Sequence, residues 1–512
     1  MEALIEQMLI LEVLNQIGLA LVLLIPLMLI ARAVVKGTTY SPILVIVIIG
    51  LSIGYIFFKA GIFEPGLPGF PIITLISGSV IVVLTGVFFS GGQELRKLFG
   101  KVEIDENQTI IPSDEEVVLG TKRTQLFEII RVFFLLIGIS ALTRQALGNT
   151  SSSMSQFYPL ITYIGLSGGI LFVGFKDKIA NKSRYIWKGA LEIVGIVAIL
   201  ILTFHVSSWV QSIIALPQIF FVMVFSLTAG WFLYKWTFGP TVRAMLFAGV
   251  PMALAGVFLV GGSRIAEAFG IVGMSTVIAY GFFGQLLWMF GGIAILMYFG
   301  KTYQVRSLGP GMAGSLSHAG LTGACTAGDL GLIAAKRAPI MINVPFFGHI
   351  ILFPILAMSI ARGELMLFPA AIAAVAGIGL TMLAFKTLKN SDGDDRQEVK
   401  GLMQFSLGWQ FTAVFGGFVL LHLLGMPLNH AAMAQSAGLS HFGLFAATQG
   451  GMFGAEASGL ITFIFAMPFL VHPVVFFMFG QGMKKEGKMP ALPVYILAIV
   501  GVIGVAYSLL VL

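Results

Sequence analysis

Stretch after stretch of this chain is apolar for about the length that crosses a bilayer. In the first half such runs fall near 8–30, 42–63, 70–91, 126–147, 157–175, 188–208, 213–234 and 244–262. In the second they fall near 269–299, 339–361, 365–386, 402–425, 457–481 and 490–512. Lipid offers no partner to a backbone amide, so a spanning segment must satisfy its own hydrogen bonds as a helix or close into a barrel. A barrel would alternate apolar and polar residues over short segments, whereas these runs are continuous. Only 10% of residues are charged, 57% are hydrophobic, and the mean hydropathy is +0.97. The expected class is therefore an all-α polytopic integral membrane protein with about 14 transmembrane helices.

The charges that remain are distributed unevenly. Arg32 and Lys36, then Arg96, Lys97, Lys101, Lys122 and Arg123, then Lys176, Lys178, Lys182 and Arg184, then Lys235 and Arg243 fall on alternate loops. The loops between them, around 64–69, 148–156 and 207–212, carry almost no charge beyond Glu64. The positive-inside rule places the basic loops in the cytoplasm and the N-terminus outside. The net charge of +7 is thus a topology signal, and no nucleic-acid partner is expected. Met1–Glu6 has no basic region or small-residue cleavage site, so the first span is expected to be retained. The loop 93–124, with Ser113-Asp114-Glu115-Glu116, reads as a solvated cytoplasmic linker. Asn149-Thr150-Ser151 fits a glycosylation acceptor formally. The single Cys325 excludes an internal disulfide and any multi-cysteine metal site.

The second half is written twice. Leu316-Ser317-His318-Ala319-Gly320-Leu321 returns 123 residues later as Leu439-Ser440-His441-Phe442-Gly443-Leu444. The same offset pairs Gly328 with Gly451, Gly331 with Gly454, Pro345-Phe346 with Pro468-Phe469, and His349 with His472. Slightly different offsets pair Gln285 with Gln410 and Gly377 with Gly501. Residues 281–385 and 406–509 are therefore read as repeat units within a C-terminal core, 263–512, that follows an N-terminal bundle of eight spans, 1–262. Two Gly/Ser/Ala-rich stretches, 309–335 and 428–456, are too broken for ordinary spans and read as re-entrant or broken-helix hairpins. Lys301 and Arg306 precede the first hairpin, and the counterpart near 426–431 has no basic residue. Lys484, Lys485 and Lys488 follow the second unit's long helix, where the first unit has only Arg362 and Glu364. This asymmetry favours inverted repeats of three spans plus a hairpin; a parallel repeat of four full spans is the competing topology. The N-terminal bundle suggests a 3+3 inverted repeat of its own. Ile49–Ser52 matches Ile164–Ser167, and Leu23–Ile25 with Arg32 matches Leu135–Ile137 with Arg144.

Ionisable groups at membrane depth are functional candidates. His318 and His441 sit in the hairpins, and His349 and His472 in the helices after them. Asp329 and Glu456 lie near the ends of the hairpins, where carboxylates could bind Na⁺ or exchange a proton. Thr322, Thr326, Thr448 and Gln449 could orient a small solute or ion. Gln285 and Gln410 are repeated and suit hydrogen bonding between helices. Glu192 and Glu267 are expected near interfaces, solvated. No phosphate loop, HExxH, CxxC or GxSxG motif is present, so an enzyme is not expected. The run Val83–Gly100 resembles the Gly-Leu-Glu-Leu helix of cation/proton antiporters, and Thr326–Ala335 resembles their Thr-Asp broken helix. The match covers under a tenth of the chain and lacks the paired acidic motif, so no residue role is carried over.

Three functions compete. The first is a secondary transporter or permease of the cytoplasmic membrane, ion- or proton-coupled, with its site at the hairpins, no cofactor required, and a homodimer as a candidate assembly. The second is a membrane redox subunit in which His318, His349, His441 and His472 ligate haem b. A permease for transition-metal ions, with the same histidines as transient ligands, bridges these two. The third is a gated channel built on the same hairpins.

Overall fold

The computed structural model describes residues 2–35, 41–62, 71–100, 122–148, 155–171, 182–211, 213, 216–236, 239–391, 394–485 and 487–510. Most of the 93–124 linker beyond Gly100, and Asn149–Ser151, lie outside the described residues. Those described form helices joined by short connections, with two isolated β-bridges. Among the described residues, ten helices are long and apolar enough to cross a membrane, and a bent pair makes eleven. The chain is a multi-pass helical membrane protein.

The first half comprises α1 (Glu2–Val35), α2 (Ile43–Lys59), α3 (Pro71–Ser77), α4 (Val80–Phe99), α5 (Lys122–Ala146), α6 (Tyr158–Leu171), α7 (Lys182–Gln211), α8 (Gln218–Phe232), α9 (Pro240–Ala244) and α10 (Val250–Ser263). A single π turn over Met245–Gly249 joins the last two. Glycines set the closest crossings. A Cβ on Gly54 would lie 2.1 Å from the Leu259 carbonyl oxygen, and one on Gly92 would lie 2.1 Å from that of Leu227. Without hydrophobic drive between helices in lipid, such close backbone approach is what packing relies on. Glu192, expected in solvent, is instead buried. Its carboxylate accepts from the amides of Gly239 (2.5 Å), Thr241 (3.2 Å) and Val242 (3.1 Å), and from Trp236 Nε1 (3.2 Å). The start of α9 supplies free amides and the positive end of a dipole, which offset its desolvation.

The short α11 (Ile265–Phe269) leads into the second half: α12 (Met274–Tyr298), α13 (Val305–Ser315), α14 (Ala319–Thr326), α15 (Leu332–Phe347), α16 (His349–Arg362) and α17 (Leu367–Lys389). The same order recurs in α18 (Asp395–Leu423), α19 (Leu428–Leu439), α20 (Phe442–Gln449), α21 (Ala455–Ala466), α22 (His472–Lys484) and α23 (Ala491–Leu510). Helices α15 and α16 bend by 43° at Gly348, beside Pro345. At the same place in the second copy, Pro468 opens a 3₁₀ turn between α21 and α22. Proline removes a backbone donor and so breaks both helices at one register. A Cβ on Gly377 would sit 2.6 Å from Thr412 N, and one on Gly501 2.3 Å from Leu287 N. The two copies are therefore joined by equivalent seams, α17 on α18 and α23 on α12.

The outermost helices show where lipid lies. Phe368, Ile372, Val375, Ile378 and Met382 form an exposed stripe on α17, and Leu492, Ile496, Ile499 and Ile503 form one on α23. Their three- and four-residue spacing marks one helix face, and a face so apolar is stable against acyl chains rather than water.

Candidate functional site: the crossed helix breaks

Between α13 and α14 the chain breaks at Leu316-Ser317-His318, and between α19 and α20 at Ser440-His441. Ser317 and Ser440 adopt the left-handed conformation (φ 47° and 49°). Each turns the chain sharply, and the histidine that follows is extended and caps the next helix. His318 Nδ1 accepts from Leu321 N at 3.1 Å, and His441 Nδ1 from Leu444 N at 3.2 Å. The breaks meet face to face. Ala319 N donates to Ser440 O (3.0 Å) and Phe442 N to Ser317 O (3.1 Å), an antiparallel bridge centred on the two histidines.

Neighbouring contacts fix the course of each arm. Arg337 Nη1 donates to Ser307 Oγ (2.8 Å), and a Cβ on Gly314 would lie 2.2 Å from Met341 O, so α13 and α15 run side by side in the same direction. A Cβ on Gly309 would lie 3.6 Å from Cys325 Sγ, so α14 leads back along α13. In the second copy, Gly273 lies beside His430 and Gly281 beside Ala437, so α19 runs parallel to α12. Helix α13 runs antiparallel to α12, since Gly292 lies under Met312 and Gln285 meets His318. The two arms thus approach the crossing from opposite ends of α12.

A ring of polar side chains closes around the crossing. The Gln285 carboxamide lies 2.7 Å from His318 Nε2 and 3.2 Å from Ser440 Oγ. Gln410 lies 3.0 Å from His441 Nε2 and 3.2 Å from Ser317 Oγ. A neutral imidazole accepts at only one nitrogen. With Nδ1 taken by a backbone amide, Nε2 carries the proton and donates, and each glutamine must turn its carbonyl oxygen to it. Each glutamine therefore ties its own copy's histidine to the other copy's serine. His318, His441, Ser317, Ser440 and Gln285 are all wholly buried, and Gln410 nearly so.

His349 and His472 also reach this centre, and the four histidines sort into two cross-copy pairs. The rings of His318 and His472 are 5.0 Å apart, and those of His349 and His441 5.3 Å. His472 stacks on Phe469 at 4.1 Å, and His349 packs between Phe346 and Phe353. Neither ring nitrogen of His349 makes a hydrogen bond among the described residues, whereas the His472 ring meets the backbone of Pro468 and Phe469, about one turn back. The haem expectation fails on this geometry. Axial ligation needs a free nitrogen on each ring and a macrocycle between them. His318 and His441 have both nitrogens engaged, and the paired rings touch. Among the described residues, no three or more His, Cys, Asp or Glu are placed to share an ion.

The other candidates lie elsewhere. Thr322, Thr326 and Thr448 are buried, and their hydroxyls donate to carbonyls one turn back: His318 O (2.7 Å), Thr322 O (2.9 Å) and Leu444 O (2.7 Å). Glu456 stands at the base of the second hairpin, paired with His430 Nε2 (2.9 Å) and accepting from Asn429 (3.1 Å). Its structural counterpart is a cluster at the base of the first hairpin, where Arg337 donates to Ser307, Glu398 (2.9 Å) and Asp395. Asp329, exposed at the end of the first hairpin, faces Arg32 and the hydroxyl of Ser41. Gln449 lines a cavity of about 730 Å³ at the end of the second hairpin. Sequence reasoning missed Ser317 and Ser440 as cross-copy partners, although each precedes a repeated histidine. It also passed over Arg144, visible only as the partner of Arg32 in the weaker N-terminal repeat. The chain matches no protein-family model, no curated protein and no solved structure in comparison.

Proposed function

We propose that the chain is a secondary transporter of the cytoplasmic membrane, moving a small solute or ion past two re-entrant hairpins. The observation that carries the reading is the crossing itself: two helix breaks, approached from opposite ends of α12 and bridged antiparallel at His318 and His441. Non-helical backbone at membrane depth is tolerated where it is packed in protein or lines a path, and inverted repeats put transport sites at such breaks. In this reading the repeats are inverted, the first hairpin enters from the cytoplasm and the second from outside. The N-terminus is outside, matching the basic loops. Counting the bent pair once and adding the shorter α2, α6 and α8 gives fourteen crossings.

The buried ring is the pivot about which the two copies exchange. Its histidines are proton-locked caps, and solute contacts lie on the flanks of the hairpins. Reconstituted vesicles should show saturable uptake of at least one solute from a broad panel of ions, organic acids, amino acids and sugars. Uptake should fall at least tenfold in Gln285→Leu or Gln410→Leu while the protein remains folded. Vesicles that move nothing across that panel, under imposed proton or sodium gradients, would exclude a transporter.

A further inference from the structure

We infer that the outer end of the second hairpin binds a small anion through Arg144, the anionic group being a carboxylate or phosphate. This deepens the transport reading by naming a substrate class, and rests on it for orientation alone. The cavity of about 730 Å³ there falls in the range that holds small ligands. Its wall includes Arg144, Gln449, Gln218, Ser77 and Met452. Arg144 lies in the last turn of α5, and its guanidinium covers Gly78, where an added Cβ would sit 3.4 Å from Nη2. No carboxylate among the described residues pairs with it. The short break between α3 and α4 borders the same cavity through Ser77, Gly78, Val80 and Ile81.

Comparison of the two hairpin ends makes the charge informative. At the first, Arg32 faces Asp329. The offset of 123 that relates the hairpins carries Asp329 to Met452, and the offset of 112 in the N-terminal half carries Arg32 to Arg144. Both counterparts meet at the second hairpin, on the wall of one cavity. One end thus supplies its own counter-ion. The other keeps the cation, replaces the carboxylate by a thioether and leaves space. A guanidinium fork matches a carboxylate or phosphate in two parallel hydrogen bonds, and a cation in a largely apolar cavity gains from such a partner. The group could belong to a soluble anion or to a lipid headgroup.

The test is equilibrium binding to the full-length protein in phosphatidylcholine nanodiscs, with radiolabelled succinate and inorganic phosphate as probes. Saturable binding of at least one probe is expected, weakened roughly thirtyfold or more in Arg144→Gln. Met452→Asp, which supplies the carboxylate the first hairpin carries, should weaken it similarly with the arginine still present. Unchanged melting midpoints establish that both variants are folded. If neither probe binds, nanodiscs containing phosphatidylglycerol replace them. A rise in melting midpoint that both substitutions abolish identifies a headgroup as the source. Binding that survives Arg144→Gln, or no Arg144-dependent effect of either probe or of phosphatidylglycerol, overturns the proposal. Anion binding without flux in vesicles would sink the transport reading and leave the site standing; flux without Arg144-dependent binding would do the reverse.

Discussion

Two kinds of histidine sit within one ring's width of each other, and they carry different burdens. His318 and His441 spend both nitrogens, one on a helix amide and one on a glutamine. His318→Ala should therefore remove a cap and strand a buried carboxamide, lowering stability by roughly 2–3 kcal/mol. His349 makes no hydrogen bond among the described residues and packs as an aromatic disc between Phe346 and Phe353. His349→Leu should cost less than about 1.5 kcal/mol, as a near volume-conserving core exchange does. Melting midpoints in detergent rank the two substitutions, and equal losses would show that His349 has a polar role. Glu192 belongs to the first kind. Glu192→Gln trades two acceptor positions for an amide donor among four N–H groups and should cost about 2 kcal/mol in the same assay. The identity of the repeated histidines was legible in the sequence because both lie at one shared offset. Which of them were committed was not, because that depends on Gln285 and Gln410 arriving from distant helices.

At the scale of elements, the hairpins are held at tip and base. The tips are tight: a Cβ on Gly320 would lie 2.4 Å from His472 Nε2, and one on Gly443 2.5 Å from His349 Cε1. Gly320→Ala should destabilise by about 1–3 kcal/mol through overpacking, and adding His472→Ala should recover part of that loss. Additive losses in the double variant would mean that the two elements do not press on each other. The base of the first hairpin is held by Arg337, which is buried while its partner Asp395 is largely exposed. Arg337→Met should therefore cost about 2 kcal/mol, less than a fully buried pair, because water can reclaim the carboxylates. The broken character of 309–335 and 428–456 was legible from their glycines and serines. Glu456, an ion-ligand candidate in sequence, meets His430 across α19 and the first turn of α21, a contact that forms only once the hairpin closes.

For the whole molecule, the decisive question is the direction from which each hairpin enters. Cys325 is buried, so in a Cys325→Ser background single cysteines report cleanly. Cysteines replacing Arg306 and Asn429 should label with a membrane-impermeant maleimide from opposite sides of right-side-out vesicles, the second from outside. Labelling of both from one side would establish the parallel repeat. In the N-terminal half, two matched glycines meet different neighbours. Gly165 packs on Gly138 of α5, whereas its match Gly50 packs on Phe258 of α10.

Hydrophobic run length, loop charge and a repeated hexapeptide were enough to determine a multi-pass helical protein with a duplicated C-terminal half. Those signals are local: a span is apolar whatever it touches, and a turn that needs Ser317 needs Ser440 for the same backbone reason. Only the tertiary structure decided that the breaks cross, that four histidines divide into two pairs, that Glu192 is buried, and that Arg144 faces a cavity where Arg32 faces Asp329. Each of those outcomes depends on which side chains from remote segments meet. A polar group at membrane depth takes its role from the partner that satisfies it, and sequence order does not name that partner.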